Sequence, residues 1–538
     1  MSRDAPVELT EFQVDVAAAK SRAGEQPPVL VRELLAIGGM VVLCDLTIYR
    51  GSGYTGWGLL LILAPLLFCL GSPRSARRPL SRWVLLGLLV LLAASLVWSG
   101  SPLAVSLGLG LLVLYAMTLS GHSPHLLEGC GFAGQAIAAG TQRINQYGKS
   151  LERGLRRLKS AWALSLLLPL AALTVFGILF VLANPDLSTQ LTEWWGHWVQ
   201  SVRDWLLDFS VIEIPLWIAT AWITAGLLTP REPTLAAELL SDASPEPAKP
   251  AELFIPFRNT LVSVSLLYAA YLVFEFRTLW FREFPKGFHY SGYAHEGAAW
   301  LTIALALATA TLSLIFRGSI LRDARLPALR RWAWIWSALN LLLAVAVYYR
   351  LCIYVDFNGM TRMRTIGFLG TTAVVIGFLL AIWKIARSRS FVWLLRADLW
   401  AVTAMALVYA LLPVDWLVMT YNTRRIMAGD SAPSVQISVH PIDDAGIIAL
   451  APLLNAPDPL VRDGVRALYA NRWESVMRLP EDPWAIGSSW REISKYQLAP
   501  RALRRTLRET QSDWEPFRPI AKHDQAWEAF RSYAYQWY

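Results

Sequence analysis

Apolar runs separated by short polar connections fill the first 413 residues. Eleven of them read as membrane spans, at about 34–49, 54–72, 83–99, 102–121, 161–183, 209–229, 259–281, 299–316, 333–354, 365–386 and 397–413. A span needs about 20 mostly apolar residues. The first run is short, and the last can continue through Pro413 toward Met419. The pattern predicts an all-α polytopic membrane protein. Residues 1–33 mix acids and bases without an apolar core, so the first run reads as an uncleaved span behind a cytoplasmic N-terminal segment.

Two connections have the period of helices lying in the membrane interface. Residues 141–160 place Ile144, Tyr147, Leu151, Leu155 and Leu158 on one face with Arg and Lys elsewhere. That composition suits an anionic leaflet. Residues 192–208 place Trp194, Trp198, Val202 and Trp205 on one face. A Pro- and acid-rich linker, 230–252, divides the spans into a region of about six (34–229) and a region of about five (253–413). The halves show no internal repeat of the kind found in transporters.

Beyond residue 413 the character changes. The tail, 414–538, predicts a small helical, Trp-rich domain, with helical periodicity on both sides of Pro457-Asp458-Pro459. Its terminal aromatics (Trp514, Phe517, Trp527, Phe530, Tyr533, Tyr535, Trp537, Tyr538) are expected to cover a groove or to rest on the outer leaflet.

Lys and Arg set orientation, because short cytoplasmic loops carry them in excess. With the N-terminus inside, the inside loops hold 21 Lys and Arg and the outside loops six. An odd number of spans then puts the C-terminus outside. A multi-pass position in a cell membrane is expected.

Composition agrees. Hydrophobic residues make up 55% and charged residues 17% of the 538, whereas soluble domains carry about 25% charge. There are 25 tryptophans, a residue that gathers at membrane interfaces. A soluble enzyme, a disordered scaffold and a disulfide-rich module are excluded, and nothing points to nucleic acid. The four cysteines have no CxxC spacing and read as thiols without a metal role. No P-loop, GxSxG or HExxH string occurs, and no metal or cofactor is expected.

Charges inside spans are costly and mark function. Asp45, Glu213, Glu275, Arg277, Arg350, Asp356 and Asp415 all fall toward the outer leaflet in this topology. A shared polar cavity opening outward is the reading preferred over separate snorkelling side chains.

Three outer segments carry a resemblance. They contain Gly287-Phe288 with Tyr293-Ala294-His295-Glu296-Gly297; Arg350-Leu351 with Tyr354 and Asn358-Gly359-Met360-Thr361-Arg362-Met363-Arg364; and Asp415-Trp416 with Tyr421-Asn422-Thr423-Arg424-Arg425. Together they resemble the bacterial membrane family called domain of unknown function 4173, with its sister 4153, over roughly residues 255–430. His295-Glu296 and Phe357-Asn358 depart from that pattern. The resemblance implies an architecture and a candidate site but no reaction.

The candidate ligand site comprises Tyr293, Glu296, Arg350, Tyr354, Arg364, Tyr421, Asn422 and Arg425. Arginine grips phosphate or carboxylate in a bidentate fork. The competing reading is structural, with Arg and Glu clamping loops and Asn422 capping a helix. Three functions stay open. First comes a non-enzymatic protein that binds or moves an anionic lipid or small solute. Second comes a sensor or scaffold whose tail binds a protein partner. Third comes a membrane enzyme acting on a lipid-linked substrate, with Glu296 in reach of an open site.

Overall fold

The computed structural model describes residues 31–72, 80–158, 212–229, 253–280, 290–316, 323–387, 389–478 and 490–537, with a few isolated positions between them. Side chains at 151–158, 278–280 and 290–298 lie outside that description. The described residues are helical throughout, without a strand among them. In chain order the helices of the membrane region are α1 (Val31–Cys44), α2 (Tyr54–Gly71), α3 (Leu80–Trp98), α4 (Pro102–Leu119), α5 (Leu126–Leu158), α6 (Glu213–Leu228), α7 (Phe254–Trp280), α8 (Tyr290–Ile315), α9 (Leu326–Asn358), α10 (Arg362–Arg387) and α11 (Phe391–Leu411).

Among the described residues, seven helices are long and apolar enough to cross a membrane: α2, α3, α4, α7, α9, α10 and α11. Seven of the eleven predicted spans fall on them. The predicted spans at 34–49 and 209–229 fall on the shorter α1 and α6, and the one at 299–316 on the second part of α8. The predicted span at 161–183, the aromatic segment at 192–208 and the linker at 230–252 lie outside the described residues, apart from scattered positions. The chain is a membrane-embedded protein.

Helix ends follow local rules. Ser101 accepts a hydrogen bond from the Ala104 N–H at 3.1 Å and precedes Pro102, an ordinary opening for α4. Ser390 does the same for α11 through Trp393 N–H at 3.2 Å. At the end of α1 the chain tightens into a π-helical turn, Asp45–Tyr49, whose Asp45 pairs with Arg50 at 3.0 Å.

The chain divides into two compact units. One contains Met1–Val42, Leu66–Arg74 and Gln135–Pro230. Within it, small residues let helices approach closely, as in membrane helix packing generally. A Cβ at Gly226 would lie 2.0 Å from the Ala136 carbonyl oxygen, and one at Gly140 would lie 2.1 Å from the Trp222 ring. Glu33 and Arg143 form a buried ion pair at 2.7 Å, and the Tyr147 hydroxyl donates to the same carboxylate. The basic amphipathic stretch predicted at 141–160 thus continues α5, and two of its polar side chains clamp α1.

The other unit contains Leu43–Pro65, Ser75–Gly134 and Arg231–Tyr538. Here α7, α8, α9 and α10 enclose one apolar core of Phe254, Leu261, Leu305, Leu312, Phe316, Leu329, Trp336 and Phe378. Helix α11 lies against α10, α3 and α4.

The tail folds as α12 (Val414–Met427), α13 (Ser434–Val439), α14 (Asp444–Ala449), α15 (Pro459–Met477), α16 (Trp490–Ser494), α17 (Leu498–Glu509), α18 (Gln511–Trp514) and α19 (Ile520–Ala534), with short 3-10 turns between. Asp458 caps α15 through the Leu460 N–H at 2.8 Å, beside Pro459. The aromatics expected on a groove or leaflet are largely core: Trp514 and Phe530 are fully buried, and Phe517 nearly so. Helix α15 packs directly on α19, and Gly464 lets Phe530 in against the α15 backbone.

The tail meets one end of the membrane helices. Ser52 N–H donates to Ser494 Oγ at 3.0 Å, Gln497 to the Ser99 carbonyl at 2.8 Å, and Asn358 to the Trp537 carbonyl at 3.1 Å. The connections at 50–53, 99–101 and 359–361 therefore share one end of this unit, as strict alternation of the predicted spans requires. At the opposite end Arg396 pairs with Glu128, and Trp400 donates to the Pro124 carbonyl at 3.2 Å.

Candidate functional site

The turn joining α9 to α10 carries most of the predicted site. Helix α9 ends at Gly359, whose φ of 96° lies where side chains are unfavourable. A Cβ there would meet the Asn422 side-chain oxygen at 2.6 Å. Asn422 is fully buried. Its Oδ1 accepts from the Met360 N–H at 2.7 Å, and its Nδ2 donates to the Met360 carbonyl at 2.9 Å. One side chain of α12 thus satisfies both polar groups of a turn residue. Thr361 opens α10 by accepting from the Arg364 N–H at 3.1 Å.

Three arginines nearby have carboxylate partners. Arg350 grips Glu275 through Nε at 2.5 Å and Nη2 at 2.6 Å, and Tyr271 donates to the same carboxylate at 2.9 Å. Both charged side chains are buried. Arg362 forms a bidentate pair with Asp415, which also accepts from the Asp443 N–H at 2.7 Å. Arg425 bonds Asp430 through Nε at 2.8 Å and donates to the Val355 and Asp356 carbonyls, each at 2.6 Å. Three of the five acids expected to share one polar cavity, Asp45, Glu275 and Asp415, are instead held by arginines in separate pairs.

Arg364 differs. It is 5% exposed, yet it has no carboxylate partner among the described residues. Its guanidinium donates to the Gly359 carbonyl and to Asn358 Oδ1, and lies 3.7 Å from the centroid of the Tyr354 ring. Those two bonds use two of the five N–H donors a guanidinium carries. Asn358 is held in turn by Gln436, which donates to its carbonyl at 2.9 Å.

Arg364 lines a cavity of about 590 Å³. Tyr354, Asn358, Thr361, Gln436 and His440 complete its polar end, and Ala299, Ile303, Leu351, Met363, Gly367 and Gly370 form the rest with Thr302 and Thr371. His440 follows α13, outside the spans. Partial desolvation, then the positive charges of Arg364 and Arg362, hold its imidazole pKa below the ordinary histidine value.

Of the predicted site residues, the structure places Arg364 and Tyr354 in this cavity. Arg350 lies on the same helix as Tyr354 but is committed to Glu275. Asn422 and Arg425 shape the backbone around the cavity, and Tyr421 stands 5.8 Å from the Arg425 guanidinium. Tyr293 and Glu296 lie on α8, and their side chains are outside the described residues. His440 and Gln436 are cavity residues that sequence reading missed. Gln436 lies within a six-residue helix of the tail and His440 directly follows it, and no motif or period there marks them. No cluster of metal-ligating side chains occurs among the described residues.

The fold and the site define a polytopic helical membrane protein with a helical domain packed over one end of its spans. The chain belongs to the family described as domain of unknown function 4153 (DUF4153), whose model matches residues 58–440. The match covers the cavity and ends on His440. No curated protein and no solved structure matches the chain.

Proposed function

We propose that this protein binds an anionic ligand in the cavity at Arg364. The observation that carries the reading is a buried guanidinium with no carboxylate partner among the described residues, beside three arginines that have one. An unpaired buried charge is costly unless it is paired, so the site favours an incoming anion. Tyr354 stacks on the guanidinium and fixes its plane, which suits bidentate recognition of phosphate or carboxylate. The excess of Lys and Arg in the opposite loops supports an eleven-span topology in a bacterial inner membrane. The N-terminus is then cytoplasmic, and the tail and cavity are extracytoplasmic. The motif spacing shared with family 4173 is consistent with that frame. Binding, with or without translocation, is the reading that the buried guanidinium supports.

The test compares wild type with Arg364→Ala and Arg364→Lys, purified in native lipid, by mass spectrometry of retained small molecules. Wild type is expected to retain an anionic species that Arg364→Ala lacks. A net loss equivalent to one charged hydrogen bond, about 1.5–3 kcal/mol, should weaken binding roughly 10- to 100-fold. Lys is expected to restore part of it, since it keeps the charge but not the fork. Identical spectra from folded proteins would remove the proposal.

A proton should follow the anion. An anion bound between Arg364 and His440 stabilises the imidazolium, so the complex binds more protons than the free protein. Affinity should therefore rise as pH falls through the pKa of the bound histidine, and level off below that of the free one. His440→Gln should flatten the profile, and an unchanged slope in that variant would exclude His440 from the site.

A further inference from the structure

The cavity has two chemically different ends. Arg364 sits near the start of α10, and the lining continues along the same helix through Gly367 and Gly370 to Thr371. At 1.5 Å per residue, that run carries the cavity about 10 Å down the span, into the depth occupied by lipid chains. The two threonines at the far end, Thr302 and Thr371, direct their hydroxyls at one another across 3.3 Å.

Two glycines keep this arm open. A Cβ at Gly370 would meet nothing within 4 Å, and one at Gly367 would meet only Leu351 at 3.5 Å. The arm also has an open side. Ile303 of α8 and Met363 of α10 line it, yet they are 55% and 68% exposed. The exposed apolar surface continues over Trp300, Leu307 and Ile366. On spans, such a surface faces hydrocarbon. The opening therefore lies on the lipid side of α8 and α10.

We infer that the occupant is a membrane lipid with an anionic headgroup, which enters sideways from the bilayer, sets its headgroup at Arg364 and lays an acyl chain along Gly367 and Gly370. The inference rests on the anion-binding reading above and narrows it. A small anion from water needs the guanidinium but has no use for an apolar arm that opens toward lipid. An amphiphile uses both ends: its chain passes from bilayer hydrocarbon into an arm just as apolar, and its headgroup pairs with Arg364.

The experiment uses the full chain in nanodiscs of phosphatidylcholine doped with phosphatidylglycerol. Lipid retained by the protein is read by native mass spectrometry for wild type, Arg364→Ala and Gly370→Trp. The tryptophan fills the open arm without touching Arg364. Gly370→Ala, and Gly367→Leu should the tryptophan variant not fold, serve as companions. In parallel, inorganic phosphate binding to wild type and Gly370→Trp is measured in detergent by calorimetry.

Wild type and Gly370→Ala are expected to retain phosphatidylglycerol over phosphatidylcholine. Gly370→Trp should lose that preference, because the indole occupies the arm and keeps a lipid from bringing its headgroup to Arg364. Arg364→Ala should lose it as well. Phosphate binding that survives Gly370→Trp, with no lipid preference in wild type, would overturn the lipid inference and leave the anion site standing. If neither phosphate nor phosphatidylglycerol distinguishes wild type from Arg364→Ala, both readings fall.

Discussion

Glu275→Ala is expected to destabilise the protein by about 3–5 kcal/mol, the cost of leaving one half of a buried ion pair without its partner. Glu275 and Arg350 are almost completely buried, and Tyr271 adds a third group to the carboxylate. Removing the acid strands a guanidinium between α7 and α9, inside a span where neither water nor a backbone carbonyl offers the same bidentate geometry. Removing both charges is a different perturbation. Glu275→Met with Arg350→Met replaces the pair by apolar side chains of similar length, and such replacements are often neutral or stabilising. Thermal unfolding of the single and double variants in one detergent decides the matter. A double variant as unstable as the single would mean that the pair supports more than itself. The double variant should still bind anion at Arg364, since Arg350 is not part of that cavity.

Asn422→Leu should weaken anion binding from a position that touches no ligand. The substitution keeps the branched shape and heavy-atom count but strips the Met360 N–H and carbonyl of their partner, and each stranded buried group costs about 1–3 kcal/mol. The turn at Gly359 loses the brace behind it, and that turn supplies the carbonyl that fixes Arg364. Faster hydrogen exchange at the Met360 amide should accompany the loss of binding. Asn422→Asp keeps the acceptor but removes the donor, and should fall between wild type and leucine. Normal binding with an unbraced turn would show that Arg364 is held by Asn358 and Tyr354 alone.

How far these features were legible differs from one element to the next. The spans on α2, α3, α4, α7, α9, α10 and α11 could be read directly, because a helix in hydrocarbon must satisfy its backbone internally and present apolar side chains over about 20 residues. Their ends were less legible. The span read at 333–354 belongs to a helix running from Leu326 to Asn358, since polar residues such as Arg330 and Asp356 continue the same hydrogen-bonding beyond the apolar stretch. The tail aromatics were misassigned for a related reason. Trp514 and Phe530 are apolar enough for a leaflet or a core, and only the packing of α15 against α19 selects the core.

The sequence by itself determined that this protein lies in a membrane and where seven of its long apolar helices run. It also marked three outer segments as the place where polar chemistry collects, with Tyr354, Arg364 and Asn422 among eight candidate residues. Composition and periodicity act over one helix at a time, so a single chain suffices to read them. The tertiary structure alone decided which arginines have a carboxylate partner among the described residues and which has none. Arg350 and Glu275 are 75 residues apart, and Arg362 and Asp415 are 53 apart. Partners at such separations are set by which helices pack side by side. That packing neutralises Arg350, Arg362 and Arg425, and it leaves Arg364 facing a cavity whose other wall, Gln436 and His440, arrives from a domain folded after the last span.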